Sequence, residues 1–260
     1  MEIAGYIASL FIGISLGLIG GGGSILTVPV LVYLFGLTPG LAISYSLFVV
    51  GSTSLVGSFN SYRKGFVDFK TALLFGISSV ITVFIVRRFI IPLLPEQIKL
   101  GIYSLQFSIL TMVLFAVLML LASMKMITAK PIMEVADPKD KSIFILLIYG
   151  IGIGLITGFL GAGGGFLLIP ALVLFLKLPM KKAIGTSLLI IALNSSVGFI
   201  ANTGHYKIEW IFLLTISAIA IAGVLIGGLL SKKIQGNKLK KGFGWFVLIM
   251  GIYIIIKEVF

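Results

Sequence analysis

The feature that most limits what this chain can fold into is a glycine-rich interruption that occurs twice inside apolar sequence. The first copy runs from Gly17 through Gly20, Gly21, Gly22, Gly23 and Ser24 to Pro29. The second runs from Gly158 through Gly161, Gly163, Gly164 and Gly165 to Pro170. Glycine in a helix interior costs about 1 kcal/mol relative to alanine, so each cluster predicts a deliberately unwound backbone. In hydrocarbon, irregular backbone persists only where protein buries it or where it lines a polar cavity. Two such interruptions at matching positions of two halves point to a binding site between half-helices.

The two copies belong to a larger repeat. Taking 17 from 158 gives an offset of 141, and at that offset the halves align without a gap from the break onward. Pro29 meets Pro170, Ala42-Ile43 meets Ala183-Ile184, Ser46-Leu47 meets Ser187-Leu188, Ser54 meets Ser195 and Gly57 meets Gly198. Val67-Asp68-Phe69 meets Ile208-Glu209-Trp210. The domain reading is a first transmembrane repeat over 1–124, a cytoplasmic linker over 125–141 and a second transmembrane repeat over 142–260.

Composition fixes the solvent. The chain is 59% hydrophobic and 11% charged, which is the signature of a polytopic membrane protein. A net charge of +12 would suggest nucleic acid in a soluble chain. Here Lys and Arg cluster in short loops and no aromatic stripe interleaves with them, so a nucleic-acid partner is not expected. With no cysteine, disulfides, thiolate catalysis and thiolate metal sites are excluded. The N-terminus, Met1 to Gly5, lacks a basic region and a small-residue cleavage pattern and reads as part of the first span.

Apolar segments are expected near 3–20, 24–36, 41–61, 69–91, 97–124, 142–161, 165–177, 183–203, 208–231 and 241–260, with Lys232 to Lys241 as a basic loop. Charge distinguishes two topologies. One helix over 3–36 would be roughly 51 Å long, against a hydrocarbon core of about 30 Å, and the cations would divide without bias. If the chain instead turns back at each break, the halves are inverted. Of the 20 Lys and Arg, only Arg87, Arg88, Lys99, Lys207 and Lys257 then face one side, and the rest face the other. The positive-inside rule makes the richer side cytoplasmic and puts both termini outside. The expected fold is therefore all-α, with two inverted repeats. Each has a Gly-broken or re-entrant first helix pair followed by three spanning helices.

The segments after the breaks are too short to span upright, so their N-termini are expected within the membrane. A helix N-terminus offers unpaired N–H groups and about half a positive charge, and two of them converging can hold an anion without a side-chain cation. Gly22, Gly23, Ser24, Gly163, Gly164 and Gly165 are the candidates; close helix crossing is the competing explanation. Polar stripes follow each break. Ser46 and Thr53, and their equivalents Ser187 and Asn194, lie seven apart on one helix face and, with Thr186, are candidates to complete an anion's shell. The competing role is local hydroxyl-to-carbonyl bonding. Asp68 and Glu209 read as charges at helix N-termini, with a proton acceptor at a pathway mouth as the sharper alternative. His205 reads as incidental. Arg63-Lys64 and Lys181-Lys182 read as topology determinants. There is no phosphate-binding GxxxxGK[ST] loop, no HExxH and no Ser/His/Asp constellation, so neither catalysis, a cofactor nor a metal is expected.

At these residues the chain resembles the sulfite exporter TauE/SafE family, also called the toluene-sulfonate uptake permease group. The resemblance rests on G-x-x-G-G-G-G-[SG] with its apolar run and proline, on Ala42-Ile43-Ser44-Tyr45-Ser46 and Ala183-Ile184-Gly185-Thr186-Ser187, and on Gly65-Phe66-Val67-Asp68. Tyr45 stands where the second half has Thr186, and Ala162 replaces one glycine. The resemblance implies transport of a small sulfur-containing anion, of sulfite, sulfonate or sulfoacetate type, across a prokaryotic cell membrane, and the inverted halves make a secondary transporter with alternating access the expected mechanism. The expected partners are that anion and membrane lipid; a homo-oligomer and a coupling proton or sodium ion are compatible with the sequence. An anion channel and a non-transporting membrane component of a larger complex are the alternatives.

Overall fold

Gly20 ends the first helix in a left-handed conformation, φ +82°, which an L side chain rarely adopts. The computed structural model describes residues 2–21, 23–90, 93, 97–100, 103–128, 143–160, 165–202 and 207–259. Helix α1 covers Glu2–Ile19 and α2 covers Gly23–Tyr33. Across the break the chain reverses: a Cβ on Gly23 would lie 2.5 Å from the Ile12 carbonyl oxygen and 2.5 Å from Leu16 Cγ. Ile12 and Leu16 then pack against Leu26 and Val30, so α2 folds back along α1.

Helices α3 (Pro39–Tyr62) and α4 (Phe69–Ile85) follow, the latter continued by a π-helical turn, Val86–Ile90. Next come α5 (Phe107–Thr128) and α6 (Ile143–Leu160). Helix α7 (Gly165–Pro170) runs directly into a second π turn, Ala171–Phe175. Pro170 supplies no N–H for the regular ladder, and a wider turn is one way a helix absorbs that loss. The chain ends with α8 (Met180–Asn202), α9 (Trp210–Lys233) and α10 (Gly236–Val259).

The structure corrects two expectations. Residues 97–124 do not form one apolar segment. Strands β1 (Gln97–Leu100) and β2 (Tyr103–Gln106) form an antiparallel hairpin ahead of α5, pairing Ile98 with Leu105 and Lys99 with Ser104. Polar Gln97 and Lys99 alternate with Ile98 and Leu100, a period of two that suits a strand. Lys232 to Lys241 is not a loop either. Helix α9 runs through Lys233 and α10 opens at Gly236, and Lys240 is only 3% exposed.

The repeat survives in three dimensions. Adding 141 to the bounds of α1 gives 143–160, the bounds of α6. Gly36 and Lys177, one offset apart, both take a positive φ, +70° and +52°. The following N–H groups reach back six positions in each half, Leu37 to the Leu31 carbonyl at 3.1 Å and Leu178 to the Leu172 carbonyl at 3.0 Å. These are paired left-handed caps, closed one residue wider than a Schellman motif.

Packing exchanges helices between the halves. Helix α1 lies along α9, α6 along α4, α3 along α8, and α5 along α10. Glycines set these contacts. A Cβ on Gly13 would overlap the Ala220 carbonyl, one on Gly223 the Leu10 carbonyl and one on Gly227 the Ile14 carbonyl. Contacts advance together along both chains, so α1 and α9 are parallel. In the other half Gly154 meets the Ser79 carbonyl and Gly158 meets Val86, the equivalent parallel pairing. Helices α3 and α8 are antiparallel: Leu47 covers Gly198 while Leu188 covers Gly57.

Among the described residues, five helices, Gly40–Tyr62, Phe69–Ile90, Met180–Asn202, Trp210–Ser231 and Gly236–Ile256, are long and apolar enough to cross a membrane. Their outer faces carry bulky apolar side chains such as Phe59, Leu73, Ile211, Leu229 and Ile249, all exposed. Phe75, Leu172, Ile190 and Phe243 are buried in the core. Small polar residues such as Thr53, Ser54 and Ser195 are buried inside, while the outer faces stay apolar, as suits contact with lipid.

Candidate functional site

The two glycine breaks meet. A Cβ on Gly21 would overlap the carbonyl of Gly165, the residue that opens α7, and would lie 3.2 Å from Ile169. Gly20 faces Ile184 of α8, whose Cγ2 would be 2.9 Å from an added Cβ. Only glycine permits this approach of backbone to backbone. Gly23 is the first residue of α2, and Ser24 lies in its first turn. Gly22, Gly163 and Gly164 lie outside the described residues, as does His205.

Beside the breaks, the antiparallel pair α3 and α8 forms a buried polar spine. Thr53 and Asn194, 0% and 5% exposed, flank the crossing where Gly51 faces Ser195. The Thr53 hydroxyl donates to the Val49 carbonyl at 2.6 Å. Asn194 donates through Nδ2 to Ser79 Oγ of α4 at 3.1 Å, while its Oδ1 is buried without a protein hydrogen-bond partner. The hydroxyls of Ser44, Ser54 and Ser195 are likewise buried and unpartnered. A buried polar atom without a partner costs about 1–3 kcal/mol, so a cluster of them in one helix pair asks for an explanation beyond packing. Ser54 and Ser195 are one offset apart and belong to the stripes visible in the sequence. Ser79 had no signal there, because only the fold brings α4 against α8.

Ser46 and Ser187 are both buried, but they sit at opposite ends of the α3–α8 crossing. Each adjoins a leucine that covers a glycine, and the ten residues from Leu47 to Gly57 span roughly 15 Å. The Ser187 hydroxyl donates to the Ile184 carbonyl at 2.9 Å. Thr186 Oγ1 accepts the Asp68 backbone N–H at 3.0 Å. In the matching place, Tyr45 Oη accepts the Glu209 backbone N–H at 2.7 Å. Each half thus holds the loop ahead of the other half's spanning helix. Asp68 itself caps α4, accepting the Thr71 N–H at 3.0 Å, while Glu209 takes the same position before α9 without a side-chain cap.

The ends of the spine differ. Around Tyr45, aromatic rings close the bundle. Phe35 stacks edge-to-face with Tyr6 at 5.4 Å and Phe212 at 5.0 Å, and Phe48 contacts Phe199 at 5.0 Å. Around Thr186 the equivalents are small or aliphatic, and a cavity of mixed lining opens there instead, with Asn60, Ser61 and Lys64 among its polar residues.

Long apolar helices around a buried polar spine, exchanged between two related halves, define a polytopic membrane transport protein. The sequence profile described as "Sulfite exporter TauE/SafE" matches residues 6–254, and the chain belongs to that family. It is similar to a "Probable membrane transporter protein" of Xylella fastidiosa, 28% identical over 94% of this chain and 91% of the relative. It is also similar to "Probable membrane transporter protein YunE" of Bacillus subtilis, 28% identical over 94% of this chain and 93% of that one. "Probable membrane transporter protein MJ0441" of Methanocaldococcus jannaschii is 24% identical over 96% and 94%. The chain is a secondary transporter of a small anion, not an enzyme.

Proposed function

We propose that this transporter moves a small sulfur-containing anion, of sulfite, sulfonate or sulfoacetate type, across the prokaryotic cell membrane by alternating access between two inverted halves. The observation that carries this is the meeting of the two glycine breaks, with Gly21 against the Gly165 carbonyl. Where the breaks meet, the N-terminal ends of α2 and of the α7 segment bring bare N–H groups and partial positive charge to one place. Gly22, Gly23, Ser24, Gly163, Gly164 and Gly165 hold the anion. Thr53 and Asn194 contribute polar groups at the middle of the spine, and Ser46, Thr186 and Ser187 lie along the path toward its two ends.

Inversion is supported by the direction of packing. Equivalent helices α3 and α8 run antiparallel, which a two-fold axis across them produces and an axis along them does not. If they span the membrane, that axis lies in its plane, and 1–124 and 142–260 are inverted repeats joined by 125–141. The short α2 and α7 segments are then re-entrant. The charge distribution puts both termini outside, with Lys64, Lys181 and Lys233 on the cytoplasmic face.

Counterflow in proteoliposomes tests the transport reading. Vesicles preloaded with unlabelled sulfite are expected to accumulate labelled sulfite transiently, and external sulfoacetate to suppress the overshoot. Flux without overshoot identifies a channel instead. No flux of sulfite, sulfonates or sulfoacetate from well-folded protein overturns the substrate class.

A further inference from the structure

The basic end of the bundle carries a built cavity that the site at the glycine breaks does not use. It forms where the C-terminal ends of α1, α3 and α9 meet the N-terminal end of α8, and its polar lining is Asn60, Ser61, Lys64, Lys181 and Ser231. Every one of these groups can donate a hydrogen bond, and among the described lining residues there is no carboxylate. Gly228 makes the room: a Cβ there would stand 2.9 Å from Asn60 Nδ2 and 3.8 Å from Lys64 Nζ. Lys64 turns inward to donate to the Gly228 carbonyl at 3.2 Å, whereas a lysine at a membrane face ordinarily extends to water. Lys181 sits with Nζ 6.0 Å above the Phe66 ring.

Two further observations separate this cavity from a chance cluster of basic residues. It touches the glycine breaks, because Ile184 lines it and also faces Gly20. Its lysines also have no lysine counterpart in the other half, although Ser61 corresponds to the polar Asn202. At the offset of 141, Lys64 corresponds to His205, Lys181 to Gly40, Asn60 to Ala201 and Ser231 to Ile90. The positive-inside bias accounts for lysines at this face, but not for the inward turn of Lys64 to the Gly228 carbonyl.

We propose that this cavity is an antechamber for a small oxyanion on the basic face of the protein. Lys64, Lys181 and Asn60 hold the anion's oxygens before it reaches the glycine breaks. The inference rests on the anion-transport reading and names the residues by which that path begins on one side.

The chain has no cysteine, so Ser61→Cys introduces a single thiol as a probe. Its labelling by N-ethylmaleimide is followed in proteoliposomes of neutral phosphatidylcholine, in methanesulfonate and in chloride at equal ionic strength. Methanesulfonate is expected to slow labelling about fivefold at four times its dissociation constant, following one plus ligand over Kd. Adding Lys181→Gln, which leaves the Lys64 tether in place, is expected to abolish most of that protection, and Lys64→Gln with Lys181→Gln all of it. Equal rates in the two salts, no labelling in either, or protection that persists in the double variant overturns the proposal. Protection that appears only when anionic lipid is added, without methanesulfonate, also overturns it and makes the cavity a lipid headgroup site. Counterflow by the wild type is measured in parallel. Counterflow without protection leaves transport standing and removes the antechamber; protection without counterflow of any substrate does the reverse.

Discussion

At the scale of single residues, the offset of 141 separates positions that carry strain from those that carry function. Gly36 and Lys177 occupy the same left-handed cap, yet only glycine takes that conformation without penalty. A left-handed L-residue costs roughly 1–2 kcal/mol, so Lys177→Gly is expected to stabilise the protein by about 1 kcal/mol, read as a higher Tm in detergent. An unchanged or lower Tm would show that the lysine side chain offsets the strain. Asp68 can be divided in the same way. Asp68→Ala removes the cap on Thr71 and is expected to cost about 1 kcal/mol. Asp68→Asn preserves the cap, and flux is expected to continue. If the asparagine variant folds with wild-type Tm but carries no anion, Asp68 is a proton acceptor and the capping role is secondary.

At the scale of elements, glycine spacing decides which helices touch. Gly13 and Gly17 of α1 and Gly223 and Gly227 of α9 present two small-xxx-small faces to each other, the pattern by which membrane helices approach closely. Gly223→Leu places a side chain against the Leu10 carbonyl and is expected to destroy the monodisperse peak in size-exclusion chromatography. Gly152 has nothing within 4 Å of an added Cβ, so Gly152→Leu is expected to leave that peak intact. Matching behaviour of the two variants would mean that the α1–α9 approach does not hold the bundle together. The hairpin of β1 and β2 belongs at this scale too. Helix α10 begins 129 residues after α5, short of 141 by 12, so the first half carries extra chain there.

At the scale of the whole molecule, the two halves are interleaved rather than set side by side. Each parallel pair, α1 with α9 and α6 with α4, takes one helix from each half. The antiparallel crossing of α3 and α8 yields a direct test in this cysteine-free chain. Leu47→Cys with Gly198→Cys is expected to cross-link on oxidation, and Leu47→Cys with Leu188→Cys is not. The reverse outcome would make the equivalent helices parallel and remove the support for inversion. A cross-link that forms and abolishes counterflow, with recovery on reduction, is the result expected if the spine must rearrange during transport.

The class, the repeat and the breaks are legible in the order of amino acids alone. Apolar content selects the membrane, the offset reveals the duplication, and a run from Gly20 to Gly23 cannot remain helical without cost. Helix bounds near 69 and 210 followed from Asp68 and Glu209, because a carboxylate suits a helix N-terminus. Which polar residues face each other emerges only once the helices have packed. Thr186 and Tyr45 bind backbone in the opposite half, and Ser79 meets Asn194, because these contacts join segments more than a hundred residues apart. No periodicity within one helix encodes such a pairing. Lys64 and Lys181 show the same limit: in the sequence they are loop charges at a membrane face. They line one cavity only once α3, α8 and α9 have packed around Gly228.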